Sequence, residues 1–283
     1  MRTRQELAAD LRALGVGAGD VVMAHASVRA VGEVAGGPDQ IHLAIKDALT
    51  DSGTLMMYAG CPRYCDEVGR GNLSAEEEAE VLAKLPPFDA LTARSARDHG
   101  ALVELLRTSP GSLVNLHVAR FVAWGRHAAH LLEHTPWDFS FGQGSALDRL
   151  VALDGKLLLL GSDPDSVTFL HYAEHIVNIP DKRVARFSVP VLEGGQRVWR
   201  AMQEYDTAEG VHAHWPERFF ARIVGEQLRA SANPGGPVGD AWCYLLSARH
   251  LLGIALDVMT RVAADRHAAD ALPDLSARVV TRQ

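Results

Sequence analysis

Four consecutive leucines, Leu157 to Leu160, lie between an Asp154-Gly155 turn and Gly161, and this run constrains the fold more than any other feature of the chain. A short, unbroken apolar run bounded by turn residues suits a strand buried on both faces, which needs helices above and below it. Asp163 to Ser166 follow as a capping segment, and a helix is predicted from about Val167 to Val177. A similar pattern stands near the N-terminus. Asp20 opens the apolar run Val21 to Ala24, and the chain then passes Ser27, Gly32 and a turn at Gly36, Gly37 and Pro38. Pro38 fits the first turn of a helix to about Leu49, whose Ile41, Ile45 and Ala48 share a face. Ser52 and Gly53 then turn into a second apolar run, Thr54 to Tyr58. Strand, helix and strand in this order make a βαβ unit and imply parallel pairing in an α/β fold.

The rest of the chain fills in around these units. Leu7, Leu11 and Leu14 mark an amphipathic helix at Thr3 to Leu14. Further helices are predicted at Ala101 to Arg107, Ala128 to Glu133, Phe219 to Leu228 and Ser247 to Arg261, while Val118 to Trp124 fits helix or strand. Val189 to Leu192 and Arg197 to Met202, joined through Gly194 and Gly195, read as a hairpin, which makes the expected sheet mixed. A polar insertion at about 59–87, with an acidic helical piece at Ser74 to Leu85, is a candidate rim for a site. The Ala- and charge-rich tail at 265–283 is expected to dock or fray. No repeat or low-complexity linker divides the chain, so a single domain over 1–283 is expected.

Composition narrows the functional classes. A chain of 283 residues, 47% hydrophobic, can bury a large core without disulfides or metal. Its formal net charge of -7 counts against nucleic acid as a partner and suits a cationic ligand, although solubility alone accounts for such a balance. Cys61, Cys65 and Cys243 form no framework and read as reduced thiols; a cysteine nucleophile stays open. Met1 to Asp20 lacks the apolar core of a signal peptide, and no apolar run is long enough to cross a bilayer, so a cytoplasmic protein without a membrane partner is expected.

Three groups of residues could carry chemistry. His25 to Arg29 lie at the carboxyl end of the first strand, where open α/β sheets bind ligands. Ser27, Arg29 and the glycine-rich stretch to Gly37 could hold phosphates or a pantetheine chain, but taken alone they are better explained as a plain structural turn. Neither a Walker lysine nor a G-x-G-x-x-G is present, which argues against ATP and NAD. In the second group His171, Glu174 and His175 share one helical face, so a carboxylate can orient an imidazole as a general base requires. A satisfied, non-catalytic histidine is the competing reading, and the H-E-x-x-H order of a zinc site is absent. The third group is acidic: Asp66 and Glu67 in the insertion, then Glu204, Asp206 and Glu209. They are either a solvated surface or one negative cleft for a polyamine.

These segments, in this order, resemble the aminoglycoside 3-N-acetyltransferases of the antibiotic N-acetyltransferase family. The resemblance rests on Val22 to Gly32, Gly36 to Pro38, Ser52 to Tyr58, Phe141 to Ser145, Asp154 to Glu174, Pro180 to Arg183 and Glu204 to Glu209. It spans nearly all of the chain from Gln5 to Val262 and departs at Ala146, where the family commonly has proline. The resemblance implies a three-layer α/β/α sandwich with a mixed central sheet, distinct from the common N-acetyltransferase superfold. It implies acetyl transfer from acetyl-CoA, without metal, to the 3-amino group of a 2-deoxystreptamine aminoglycoside, and hence antibiotic resistance. By motif, His171 is the expected base with Glu174 in support. Ser27, Val28, Arg29, Ala30, Val31, Gly36 and Ser145 are expected along CoA; His25 is grouped with them, its role left open between structural, CoA-contacting and catalytic. Asp66, Asp206 and Glu209, with Tyr64, are expected to bind the drug's ammonium groups. The partners implied are CoA and a polycationic small molecule, with the protein a monomer or homodimer. Transfer to another small amine, or non-catalytic capture of a cation, are the alternatives.

Overall fold

The structure is a computed structural model and describes residues 1–62, 73–207, 210–231, 234–273 and 275. Its centre is a seven-stranded sheet. The strands are β1 (Val21–Ala26), β2 (Thr54–Tyr58), β3 (Leu113–Val114), β4 (Phe121–Gly125) and β5 (Lys156–Leu160), with β8 (Gly236–Val238) and β9 (Ala241–Ser247) near the end of the chain. Their order across the sheet is β3-β4-β2-β1-β5-β9-β8. β1 runs parallel to both β2 and β5, with Met23 facing Met56 on one side and Leu157 on the other. β4 and β9 are antiparallel to their inner neighbours.

Helices cover both faces, and the strands alternate between them. Val22, Ala24, Leu158 and Leu160 pack on the side of α1 (Arg4–Leu14), α3 (Asp39–Leu49) and α5 (Ala101–Arg107). Val21, Met23, Leu157 and Leu159 pack on the other side, against α6 (Ala128–Leu132), α7 (Ala146–Ala152), α8 (Leu170–Ile176), α9 (Phe219–Ala230) and α10 (Ala248–Ala264). This double burial is why the central strands carry no polar alternation. The expected three-layer α/β/α sandwich with a mixed central sheet is observed.

Three expectations are corrected or resolved. The hairpin forms, as β6 (Val184–Glu193) and β7 (Gln196–Tyr205), but it stands outside the main sheet as a separate two-stranded sheet. Its inner face packs on Phe88, Val118 and Trp137, and Phe88 bridges to Val191, so the mixed character of the main sheet comes from β3, β4, β8 and β9 instead. The ambiguous segment is strand at Phe121–Gly125, buried beside β2. The tail docks as far as Leu275, with Ala269, Leu272 and Leu275 inside the core on the α10 side. Of the polar insertion, the described part includes α4 (Ala75–Lys84), which begins in a reciprocal capping box between Ser74 and Glu77.

Candidate active site

The carboxyl ends of β1, β2 and β5 open into two adjoining cavities, the position where parallel strands in an open sheet receive ligands. The first, about 630 Å³, is lined by Ala24 to Arg29, by Gly100 and Ala101, and by Gly161 to Asp163. The second, about 360 Å³, lies between the main sheet and the hairpin and is lined by Val118, Phe141, His171, Phe187, Tyr205 and Asp206, among others. Tyr58, His99, Ser166 and Thr168 line both, so the two form one channel.

His171 borders the second cavity one turn after Thr168, whose carbonyl accepts its backbone N–H at 3.1 Å. Its ring sits among Phe141 and Phe220, with centroids 5.5 and 4.9 Å away. Nδ1 lies 2.7 Å from Glu174 Oε2. A carboxylate oxygen accepts, so Nδ1 is the donor, and the neutral tautomer that this contact selects has its lone pair on Nε2, as a base needs. Glu174 is buried, and its second oxygen, Oε1, accepts the indole N–H of Trp215 at 2.9 Å.

A second imidazole–carboxylate pair lies behind the first. His175 Nδ1 donates to the carbonyl of His171 at 2.6 Å, and its Nε2 meets Glu204 Oε1 on β7. Glu204 Oε2 accepts both the backbone N–H and the hydroxyl of Ser140, each at 2.7 Å. Burial pushes the Glu204 carboxyl up, but the bonds from His175 and Ser140 outweigh it and hold the group below its ordinary value. Lys182 Nζ closes the end of α8 by donating to the carbonyls of Glu174, His175 and Val177. The helix that carries His171 is thereby tied to the hairpin wall of the second cavity.

The residues expected along CoA divide. His25, Ser27, Val28 and Arg29 line the first cavity. Ser27 also caps the short helix α2 (Val28–Val31), accepting the Ala30 N–H at 3.3 Å, and Arg29 is exposed. Ala30, Val31, Gly36 and Ser145 line neither cavity. Ala30 packs against Gly161, where a Cβ would come within 2.6 Å of it; this close approach, at φ +64°, is what requires glycine there. Val31 is buried and its carbonyl accepts the Asp240 N–H at 3.1 Å. Gly36 sits in its own turn at φ +88°. Ser145 is buried at the start of α7, accepting the Asp148 N–H at 3.2 Å. Ala146, the departure from the family pattern, is the first residue of α7, a position that takes alanine or proline with the same backbone.

His25 stands at the junction of β1 and the channel. Its Nε2 is buried with no hydrogen-bond partner among the described residues, and burial first, then the nearby His99 and His171, push its pKa down to about 4. The ring is therefore neutral at physiological pH. Of the acidic residues, Asp206 lines the second cavity at the end of β7, with its backbone N–H on the Arg183 carbonyl at 3.0 Å. Tyr64, Asp66 and Glu209 lie outside the described residues.

Several residues of the channel were not singled out from the sequence. His99 is carried on a 3-10 turn, Arg97–His99, and its Nδ1 is 3.2 Å from the Ala59 carbonyl, with its ring 4.7 Å from Tyr58. Arg120 holds the neighbouring segment in place. It is fully buried and donates to the carbonyls of Gly60, Ala90, Ala93 and Arg94 at 2.7 to 3.1 Å. A Cβ on Gly60 would come within 2.6 Å of His99, so the turn and the histidine pack only with glycine at that position. Glu204, already named among the acidic candidates, turns inward: it follows Met202 at strand spacing, which puts its carboxylate on the buried face of β7.

Comparison with known proteins agrees with this geometry. The family model described as aminoglycoside 3-N-acetyltransferase matches residues 23–260. An aminoglycoside N(3)-acetyltransferase III from Pseudomonas aeruginosa is 39% identical over 255 residues, covering 90% of this chain and 92% of the relative. The solved structure of AAC-IIIb in binary complex with CoASH superposes with a TM-score of 0.84 at 38% identity, covering 92% of this chain and 96% of the other. That of AAC-VIa bound to sisomicin gives 0.85 at 32% identity, covering 92% and 97%.

Proposed function

Because the chain belongs to the aminoglycoside 3-N-acetyltransferase family, we propose that it transfers acetyl from acetyl-CoA to the 3-amino group of 2-deoxystreptamine aminoglycosides, conferring resistance to them. The observation that carries this reading is His171, held in its basic tautomer by Glu174, on the wall of a channel with one compartment for each substrate. A relative of known structure binds CoA and another binds sisomicin, which supports both halves of the assignment.

The first cavity fits the slender arm of CoA. Its lining includes the small residues Ala24, Ala26, Gly100, Ala101, Gly161 and Ser162 beside the larger His25, Met57, Tyr58 and His99, and the exposed Arg29 offers a cation to phosphate. When bound, acetyl-CoA supplies the acetyl group already activated as a thioester. The chain's own residues then do three things. Asp206 receives an ammonium group in the second cavity, with Asp66 and Glu209 completing the acidic set and Tyr64 beside them. His171 Nε2 removes the proton that keeps the acceptor amine from acting as a nucleophile. Glu174 stabilises the imidazolium so formed. With acetyl-CoA as cosubstrate the reaction belongs in the cytoplasm, and we read the whole chain as one acetyltransferase domain.

Steady-state thiol release from acetyl-CoA, measured with gentamicin, tobramycin and sisomicin, tests the assignment. Turnover with at least one of these supports it, and thiol release no higher than the drug-free blank with all of them rejects it.

A further inference from the structure

Glu174 is a carboxylate with 3% exposure, and its two oxygens are divided between two donors on different elements. Oε2 accepts from His171 Nδ1 at 2.7 Å on the same helix; Oε1 accepts from Trp215 Nε1 at 2.9 Å, from the segment that precedes α9. A buried carboxylate needs such donors, and two donors on opposite oxygens fix the plane of the group as well as its charge.

Trp215 is itself held firmly. Its backbone N–H donates to the His212 carbonyl at 3.1 Å, and its indole packs 5.1 Å from the His212 ring and 4.7 Å from the Phe219 ring. Three residues on, Arg218 takes a left-handed backbone, φ 55°, and donates through both terminal nitrogens to Asp163 at 2.9 and 2.8 Å. Asp163 lines the first cavity and caps the 3-10 turn Pro164–Ser166. The segment bearing the indole is thus pinned to the helix-entry loop on one side and to the start of α9 on the other.

We propose that Trp215 is a positioning residue for acetyl transfer: its indole N–H locks the Glu174 carboxylate in the plane that faces His171, so that the imidazole is held as a base aimed into the acceptor cavity. This rests on the reading of His171 as the base and adds to it a residue that touches neither substrate. Without the N–H the carboxylate turns toward other partners, and His171 loses its orientation while the substrate cavities keep their linings.

The test combines Trp215→Phe, Glu174→Gln and their double variant with indole N–H spectra of ¹⁵N-tryptophan-labelled protein. The expected result for Trp215→Phe is a fall in kcat of about tenfold to a hundredfold, the scale set by misorienting a catalytic group, with KM for both substrates within about twofold of wild type. The double variant should be no slower than Glu174→Gln alone, because the indole acts only through that carboxylate. In the spectra, the resonance missing from Trp215→Phe should be displaced in Glu174→Gln. A wild-type kcat in Trp215→Phe, or single effects that multiply in the double variant, would overturn the proposal. If Trp215→Phe does not fold, a set of indole resonances unmoved by Glu174→Gln overturns it and a displaced one supports it. Absence of acetyl transfer in the wild-type protein would reject the assigned activity instead, and the spectra would still report on the hydrogen bond.

Discussion

His175 and Glu204 form a buried imidazole–carboxylate pair that joins the helix carrying His171 to the hairpin wall of the second cavity. His175 presents one nitrogen to the His171 carbonyl and the other to Glu204 Oε1, so each side chain finds its partner inside the fold. Weakening such a contact leaves buried polar atoms poorly satisfied, at a cost of about 1–3 kcal/mol. Glu204→Gln should therefore lower the urea midpoint at pH 7 by that equivalent. The contribution has a definite pH sense. Glu204 titrates below its ordinary value in the folded protein, so its stabilisation is complete above about pH 4.5 and is lost as pH falls through the folded pKa. A variant within about 0.5 kcal/mol of wild type at pH 7 would show that the pair is not structural.

The catalytic assignment separates binding from proton transfer. His171→Ala should lower kcat by about two orders of magnitude or more, since general-base catalysis is typically worth that much. KM for acetyl-CoA should change little, because His171 borders the acceptor cavity and not the first. Glu174→Gln keeps shape and an acceptor oxygen but removes the charge that stabilises the imidazolium, so its loss should be smaller and again fall on kcat. Rates for His171→Ala equal to wild type would move the base elsewhere, His99 being the next imidazole along the channel.

Much of this was legible in the sequence because the information was local. The leucine run, the βαβ pattern and the spacing of His171 and Glu174 each lie within a few residues, and each was realised as β1, β2, β5 and α8. What stayed hidden depended on chain segments far apart. Trp215 reaches Glu174 across 41 residues, Glu204 reaches His175 across 29, and Arg120 gathers Gly60 and Ala90 from 60 and 30 residues away. Local patterning carries no trace of such pairings. The antiparallel strand β9 was also missed: Ala241–Ser247 leads directly into α10, so no turn separates strand from helix. Ser145 and Val31, expected along CoA by resemblance, each have a structural role as well, one capping a helix and the other filling the core.

Acid sensitivity should come largely from histidines buried in the neutral form. Burial pushes both His25 and His117 down to about 4. His117 Nδ1 accepts the Ala119 N–H at 3.0 Å, so protonating it also breaks a buried hydrogen bond. Between about pH 6.5 and 4 the unfolded chain binds these protons and the folded chain does not, so stability is full above that window and falls within it. At 1.36 kcal/mol per pKa unit, each group accounts for about 3 kcal/mol over the whole range. His117→Asn keeps an acceptor for Ala119 and removes the titration, so its urea midpoint should decline less between pH 7 and 5 than that of wild type. Parallel declines would remove His117 from the account.

The net charge of -7 becomes a claim about one cavity at Asp206. If that carboxylate receives an ammonium group of a polycationic acceptor, Asp206→Asn should raise KM for the aminoglycoside about tenfold, the scale of one charge-assisted hydrogen bond. KM for acetyl-CoA should be unchanged, because Asp206 lines the hairpin side of the channel and not the first cavity. Added salt screens a partly exposed pair, so the gap between wild type and variant should narrow as ionic strength rises. The acceptor itself provides the sharper comparison: a drug with several ammonium groups should suffer more from the substitution than a simple monoamine, which makes fewer ionic contacts. Equal losses for both, or a KM change confined to acetyl-CoA, would take Asp206 out of the acceptor site and leave the acidic balance of the chain as a matter of solubility.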